Sequence, residues 1–145
     1  MEDINKYIPH RPPFLLIDKI IFLDDTHIKA EASPSMEKEL FSQVFSGHYP
    51  GNPITPGVLL CEMVFQAGAV LLSSRLGSNV DKGTPVLVRI RDARFKQSVR
   101  PDDKLEVEAE FTEQLSNAVY MKGSVRCNGK IAVRVEFTCA LLSGT

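Results

Sequence analysis

One segment in the middle of the chain constrains the fold more than any other, because it is apolar on nearly every side. Thr55 is placed as N-cap and Pro56 as first helical residue, and the predicted helix runs to about Leu76, where Gly77 is a suitable C-cap. A helix with so little polar surface must be covered by other parts of the chain on nearly all sides. The rest of the sequence therefore has to wrap around this helix.

Segments typical of β-strands supply that cover. They are predicted at Phe14 to Leu23, His27 to Ala32, Val86 to Ile90, Ala93 to Val99, Leu105 to Phe111, Val119 to Cys127 and Ile131 to Leu142. Asn128-Gly129 predicts a two-residue hairpin turn between the last two segments. With a helical turn at Ile4 to Tyr7 and a short helix within Pro34 to Leu40, the prediction is one α+β domain over residues 1–145. It has about six mostly antiparallel strands wrapped around one long helix.

Length and composition fit a soluble globular domain with a sizeable core. Of the 145 residues 43% are hydrophobic and 24% are charged, and the net charge of −1 gives no basic field for nucleic acid. Three unevenly spaced cysteines, Cys61, Cys127 and Cys139, predict neither a disulfide framework nor a cysteine metal site. We expect a reducing compartment.

The sequence shows no signal peptide and no convincing membrane span. The N-terminal residues include early acidic side chains and no uninterrupted apolar stretch. Val58 to Leu72 is too short to cross a bilayer, and Glu62 and Gln66 interrupt it, so it is interpreted as a buried helix. We expect a cytoplasmic protein that does not insert into membranes.

Two side chains with acid–base chemistry stand out against this core. His48 lies in a loop, Phe45 to Pro56, stiffened by glycine and proline, and Glu62 lies on the apolar helix. Each alone has an ordinary explanation, as a loop histidine bound to backbone groups or a solvent-facing glutamate. Together they are typical of acid–base catalysis. Glu62, Gln66 and Ser73 fall within about 40° of one another around the helix and predict a polar cavity wall.

Three blocks of sequence resemble the β-hydroxyacyl-[acyl-carrier-protein] dehydratases of FabZ type. They are HRPPFLLIDKI, GHYPGNPITPGVLLCEM and DARFKQSVRPDDKL, in the family's order, from His10 to Leu105. The chain departs from the family at Tyr49, where phenylalanine is usual, and at Arg89 and Arg91, where apolar, small or acidic residues are usual. Arg89 and Arg91 share one face at strand period, and if that face lines an acyl tunnel they would disfavour long apolar chains.

The resemblance implies a hot-dog fold, in which the sheet curls around the central helix. It also implies a dimer, often assembled as a trimer of dimers, whose active sites lie at the subunit interface. His48 matches the catalytic histidine and Glu62 the catalytic glutamate, contributed by different protomers. Gly57 matches the glycine whose N–H contacts the thioester carbonyl, and Gln66 matches a glutamine near the carboxylate. The implied partner is an acyl carrier protein.

The implied reaction is the reversible dehydration of (3R)-hydroxyacyl thioesters to trans-2-enoyl thioesters in fatty acid biosynthesis, and the residues suit it. A neutral imidazole at His48 can remove the weakly acidic C2 proton. A carboxylic acid at Glu62, kept protonated by burial, can donate a proton to the leaving hydroxide. N–H groups near Gly57 can stabilise the thioester oxygen. HExxH-type ligand spacing is missing, so we expect no metal and no cofactor.

The sequence also allows two other functions, and it allows two interpretations of one basic surface. Glu62 could direct water in a hot-dog thioesterase, although His48 would then lack a clear role, and a non-catalytic acyl-binding or assembly module would need neither residue. Arg94, Lys96 and Arg100 belong to a basic run that is either a solvated strand face or a docking surface for the carrier protein.

Three other residues receive ordinary interpretations. His10, beside Arg11, is interpreted as a structural anchor of its loop. We interpret His27 as an exposed strand residue and Cys61 as a small buried apolar one.

Overall fold

The pattern of one long helix and a cover of strands is present in a computed structural model that describes residues 3–77 and 84–142. After one 3-10 turn at Ile4–Lys6, the elements are β1 (Ile17–Leu23), β2 (His27–Ala32), α1 (Glu39–Gly47), α2 (Gly57–Leu76), β3 (Thr84–Phe95), β4 (Leu105–Leu115), β5 (Ala118–Cys127) and β6 (Lys130–Leu142). The predicted single domain over residues 1–145 includes residues outside the described ranges.

The sheet wraps around α2 in the way its apolar surface requires. All strand pairs are antiparallel, and the order across the sheet is β1-β2-β4-β5-β6-β3. The helix contacts all six strands, and most of its apolar side chains are buried. The predicted α+β architecture, a hot-dog arrangement of six strands on a central helix, is confirmed.

Local signals at two turns are also confirmed. Asn128 and Gly129 have φ values of 54° and 77°, which a tight two-residue hairpin turn between β5 and β6 requires. Gly77 ends α2 with a φ of 60°, and its N–H donates to the carbonyl oxygens of Ser73 and Ser74. The start of α2 differs from the prediction: Pro56 is the N-cap and Gly57 the first helical residue, so Thr55 is not the cap.

Length and composition alone would let α2 cross a membrane, and it is the one such helix among the described residues. In the fold, 56% of its most apolar window is buried. Its apolar character is accounted for by the sheet that covers it.

The first helix lies later in the chain than predicted. The short helix expected within Pro34 to Leu40 is wrong, because α1 occupies Glu39–Gly47 and takes the first residues of the predicted loop. Phe41 and Phe45 lie one turn apart, both are buried, and their rings stack at 5.9 Å. Burial of these two rings stabilises a helix up to Gly47, although the sequence pattern around that glycine predicted a loop.

The predicted strands in two parts of the chain were also wrong in their bounds. The first strand begins at Ile17 rather than Phe14, since Phe14 and Leu16 bind the Gln66 side chain of α2 with their backbone groups. The two strands predicted at Val86 to Ile90 and Ala93 to Val99 are the single strand β3, which ends at Phe95 and has two irregularities in its pairing with β6. Such bulges break the period-2 pattern from which strands are recognised.

The pairing of β3 also decides where its arginines point. Ile90 is opposite Phe137, whose ring lies against Gly68 of α2, so both lie on the helix side of the sheet, although Ile90 at the edge stays half exposed. Arg89 is opposite Thr138, the next residue of β6, and the Arg91 guanidinium lies 4.0 Å from the Glu136 carboxylate. Both arginines are therefore on the outer face of the sheet, away from α2, where they do not narrow an apolar channel along the helix.

Candidate active site

His48 is held by the end of α1 and by the loop that follows it. Its backbone N–H caps α1 by donating to the Val44 carbonyl at 2.8 Å. Its ring Nδ1 lies 2.7 Å from the Ile54 carbonyl oxygen, which can only accept, so Nδ1 carries the proton. In the neutral ring Nε2 then keeps its lone pair, which is the arrangement a general base needs.

The loop around His48 is fastened on several sides. Tyr49 has a φ of 57° and its ring meets the His48 ring edge-on at 4.7 Å. The Thr55 N–H donates to the Val99 carbonyl at 2.7 Å, and the Arg100 guanidinium donates to the Asn52 side-chain oxygen at 2.8 Å. These bonds tie the loop to the segment that follows β3, so the imidazole is presented from a rigid support.

Glu62 is positioned by Gln66, one turn further along α2. The Gln66 amide nitrogen donates to Glu62 Oε2 at 3.0 Å and to the Phe14 carbonyl at 2.8 Å, and its oxygen accepts from the Leu16 N–H at 2.8 Å. The two backbone groups permit only one orientation of the amide. Gln66 is 1% exposed, so its side chain forms buried hydrogen bonds where the sequence predicted a cavity wall.

The surroundings of Glu62 favour its protonated form. Burial raises the pKa of the Glu62 carboxyl, while the Gln66 hydrogen bond and the nearby His10 ring act in the opposite direction and are smaller effects. Since Oε2 accepts from Gln66, the acidic proton is directed to the other oxygen, Oε1. The Glu62 side chain is 22% exposed, so this proton can reach a bound molecule.

Gly57 lies at the start of α2, where the first backbone N–H groups have no partner within the helix. A Cβ atom at this position would be 2.5 Å from the Phe95 ring, so only glycine allows the ring to lie so close. Beside it is an open groove of about 480 Å³, lined by Thr55, Gly57, Phe95, Lys96 and other residues. Helix N–H groups beside such a groove can bind a carbonyl oxygen that gains negative charge.

The structure brings some of the predicted site residues together and leaves others apart. Glu62 and Gln66 are in contact, and the contacts of His48 are with Ile54 and Tyr49. In the described part of one chain, no hydrogen bond, ion pair or ring contact joins His48 to Glu62. Among residues 3–77 and 84–142, no group of three His, Cys, Asp or Glu side chains is placed to hold a metal ion.

The basic residues differ in their surroundings. Arg94 is exposed and lies 3.1 Å from the Asp92 carboxylate, so its charge is partly compensated. Lys96 lines the groove beside Gly57, and Arg100 holds the loop that carries His48. Of the residues given ordinary interpretations, His27 is exposed as predicted and Cys61 is buried as predicted.

Sequence reasoning missed the place of His10. Its ring Nε2 lies 3.9 Å from Glu62 Oε2, although the two residues are far apart in the chain. One signal could have pointed to it, since a buried glutamine on an apolar helix has to bind polar groups from elsewhere. The sequence does not show which segment supplies them.

Comparisons with known proteins agree with the resemblance. The family model described as FabA-like domain matches residues 8–136. The 3-hydroxyacyl-[acyl-carrier-protein] dehydratase FabZ of Aromatoleum aromaticum is 35% identical over 143 residues, which cover 97% of this chain and 96% of that protein. The protein of the same name from Petrotoga mobilis is 36% identical over 136 residues, covering 94% and 93%.

Solved structures support the fold. The dehydratase heterocomplex ApeI:P from Xenorhabdus doucetiae superposes with a TM-score of 0.82 at 19% identity, over 99% of this chain and 93% of that one. A hypothetical thioesterase protein with coenzyme A from Streptococcus pneumoniae TIGR4 has a TM-score of 0.64 at 17% identity, over 86% and 85%. At these identities the likeness concerns the fold alone.

Proposed function

The chain belongs to the FabA-like family, among its FabZ-type 3-hydroxyacyl-[acyl-carrier-protein] dehydratases, and we propose that His48 and Glu62 perform the dehydration. The reaction is the reversible loss of water from a (3R)-hydroxyacyl thioester on acyl carrier protein, giving the trans-2-enoyl thioester in fatty acid biosynthesis. As a hydro-lyase reaction it transfers protons and breaks one C–O bond, with no change in oxidation state overall.

In the forward direction the base and the acid act on neighbouring carbons. His48 Nε2 takes the proton from C2, and the electron pair left behind forms the C2–C3 double bond as the C3–O bond breaks. Glu62 gives its proton to the departing hydroxyl, which leaves as water. At the end His48 is an imidazolium and Glu62 a carboxylate, and both return to their starting forms by exchanging protons with water.

One observation carries the assignment of Glu62 as the acid. The Gln66 amide is oriented by two backbone groups and donates to Oε2, so Oε1 is the oxygen that can hold a proton for the substrate. Burial raises the pKa of the same carboxyl, which keeps more of it protonated near neutral pH. Gly57, at the N-terminus of α2, would bind the thioester oxygen as its negative charge increases.

We further propose that a second copy of the chain completes the site. Edge strand β3 exposes Val88, Ile90 and Phe95 by 56%, 50% and 55%, and among the described residues of one chain only its β6 side is paired. An unpaired apolar edge is a natural site for pairing with another strand. Pairing two copies through β3 would let His48 of one protomer and Glu62 of the other face the same substrate.

The carrier protein would approach beside the groove at Gly57. Carrier proteins are acidic, and Lys96 and Arg100 offer positive charge near the groove and the His48 loop. Arg94 contributes less to this surface because Asp92 lies against it. We propose a cytoplasmic location for the enzyme.

Two substitutions test the catalytic pair. His48→Ala and Glu62→Gln should each lower dehydration of a 3-hydroxyacyl carrier-protein thioester by at least ~10²-fold, measured as the mass loss of one water. Both variants should remain folded and keep the oligomer size of the native protein. His27→Gln is the matched control, because His27 is an exposed histidine whose ring faces Glu110 on the outer sheet surface. Undiminished turnover in either variant would refute the assignment.

Mixed oligomers test whether two protomers share a site. If they do, refolding His48→Ala together with Glu62→Gln creates dimers with one intact site, and random pairing returns about a quarter of native activity. Sites contained in one protomer would give no recovery of activity.

The same assay distinguishes the rival functions. Release of free thiol from the substrate would indicate a thioesterase, and absence of any turnover by the native chain would favour a non-catalytic acyl-binding module.

A further inference from the structure

A histidine from the N-terminal segment lies against the acid. His10 Nε2 is 3.9 Å from Glu62 Oε2, the same oxygen that accepts the Gln66 hydrogen bond. We propose that His10 is a positioning residue that stabilises the negative charge on Glu62 as this side chain gives up its proton. The inference rests on the proposed role of Glu62 as the acid.

The segment that carries His10 is held in place from both sides. The Arg11 guanidinium donates to the carbonyl oxygens of Ile8 at 2.8 Å and Asn5 at 3.2 Å, which closes the chain into a compact loop. On the other side, the His10 ring stacks on the Phe14 ring at 6.5 Å, and Gln66 binds the Phe14 carbonyl. The imidazole therefore has a defined place relative to Glu62.

The surroundings of His10 decide which nitrogen faces the acid as a donor. Its Nδ1 is buried and has no hydrogen-bond partner among the described residues. A neutral imidazole carries one N–H. On Nδ1 this group would be a buried donor without an acceptor, whereas on Nε2 it is directed at a carboxyl oxygen. The favoured tautomer of His10 therefore carries its proton on Nε2, the nitrogen that lies beside Glu62.

This contact becomes stronger as the reaction proceeds. At 3.9 Å the two atoms are within ion-pair distance and beyond hydrogen-bonding distance. When Glu62 loses its proton, the full charge on the carboxylate attracts the N–H more strongly, because hydrogen bonds to ionised acceptors are about twice as strong as neutral ones. An interaction that strengthens in the transition state raises kcat and leaves KM nearly unchanged.

The test compares two variants of similar size that differ in one donor. His10→Gln keeps an N–H group at the reach of Nε2, and His10→Met fills the same space without a donor. We expect kcat of His10→Met to be about 10-fold or more below that of His10→Gln, with equal KM, on a 3-hydroxyacyl carrier-protein thioester. His10→Phe, which keeps the ring stacked on Phe14, should be as slow as His10→Met.

Equal kcat values for His10→Met and His10→Gln would overturn the proposal, because the donor would then have no effect. So would a loss that appears only as a higher KM. Thermal unfolding of each variant tests whether His10 has a merely structural role. Such a role would lower the midpoint of thermal unfolding, and it would not make His10→Gln selectively faster than His10→Met. His27→Gln again serves as control, with native kcat expected.

Glu62→Gln, measured in the same assay, separates this inference from the proposed function. If Glu62→Gln has native turnover, the assigned acid is wrong and the role of His10 falls with it. If Glu62→Gln is slow while His10→Met and His10→Gln are equally fast, only the inference about His10 fails.

Discussion

Gln66 donates to Glu62 Oε2 at 3.0 Å and holds the Phe14 carbonyl and the Leu16 N–H with the same amide. One buried side chain thus joins the candidate acid to the segment before β1, which also carries His10. The position of the acid depends on contacts across about fifty residues of chain, as the sequence separations of these bonds show.

Replacing Gln66 by methionine should destabilise the fold. The change keeps the volume and leaves the buried Leu16 N–H and the part-buried Phe14 carbonyl without partners, at about 1–3 kcal/mol for a fully buried group and less for a part-buried one. We expect the free energy of unfolding in urea to fall by about 2–5 kcal/mol. Gln97→Met is the matched control, because the exposed Gln97 amide binds the Cys127 and Lys130 carbonyls at the surface, and it should cost less than about 1 kcal/mol. Similar losses in both variants would contradict this account.

Glu62→Gln should become more stable relative to the native protein as pH rises. Burial raises the pKa of Glu62 in the folded chain, so the unfolded chain ionises at a lower pH, and native stability is lost as pH rises through the folded pKa. Glutamine does not ionise and escapes this loss. The difference in unfolding free energy should therefore increase as pH rises from about 4, the ordinary pKa of a glutamate, through the higher pKa of the folded chain.

Asp24→Asn provides a control of opposite sign. Hydrogen bonds from the backbone N–H groups of Thr26 and His27 lower the pKa of Asp24, so native stability gains from its ionised form above the unfolded pKa. The stability of the variant relative to the native protein should therefore fall as pH rises towards about 4, the ordinary pKa of an aspartate, and stay level above it. Parallel trends in the two variants would show that burial is not the dominant cause at Glu62.

Gly57→Ala should be destabilising because of Phe95. The new Cβ would lie 2.5 Å from the ring, which has to move, and overpacking of this kind costs about 1–3 kcal/mol. Phe95→Ala in the same chain removes the obstacle. A double-mutant cycle in urea should give a favourable coupling of about 1 kcal/mol or more, and purely additive effects would exclude the clash as the cause.

Gly123→Ala should be more severe than Gly47→Ala. A Cβ at Gly123 would lie 2.3 Å from the Glu108 carbonyl oxygen in the neighbouring strand, and backbone atoms cannot turn aside. We expect a loss of about 3 kcal/mol in the free energy of unfolding. Gly47, the last residue of α1, has no atom within 4 Å of the corresponding position, so its substitution should cost nothing or add slightly to stability.

The cysteines should resist alkylation in the folded protein. Burial raises the pKa of the Cys139 thiol to about 11, and burial likewise raises the pKa values of Cys61 and Cys127. At pH 8 the reactive thiolate is therefore scarce as well as covered. Iodoacetamide labelling, followed by mass spectrometry, should be at least ~100-fold slower than in denaturant. Rapid labelling of Cys61 in the native state would contradict the buried, unreactive interpretation.

Where the signal is local, the sequence was a good guide to structure. The end of α2 at Gly77 and the turn at Asn128-Gly129 follow from the φ angles that those residues allow, and the central place of α2 follows from its apolar surface. The block around His48 and Glu62 was sufficient to indicate the family. Each of these inferences depends on neighbours in the chain.

The features that the sequence did not determine depend on contacts between distant segments. The bulges of β3, set by its pairing with β6, turn Arg89 and Arg91 to the outer face. The hydrogen-bonding needs of Gln66 bring in the Phe14–Leu16 segment, and with it His10 comes to lie beside Glu62. Composition and periodicity specify that a buried polar group needs a partner and that a strand needs a neighbour. Only the folded chain determines which ones, because that choice belongs to the packing of all the elements together.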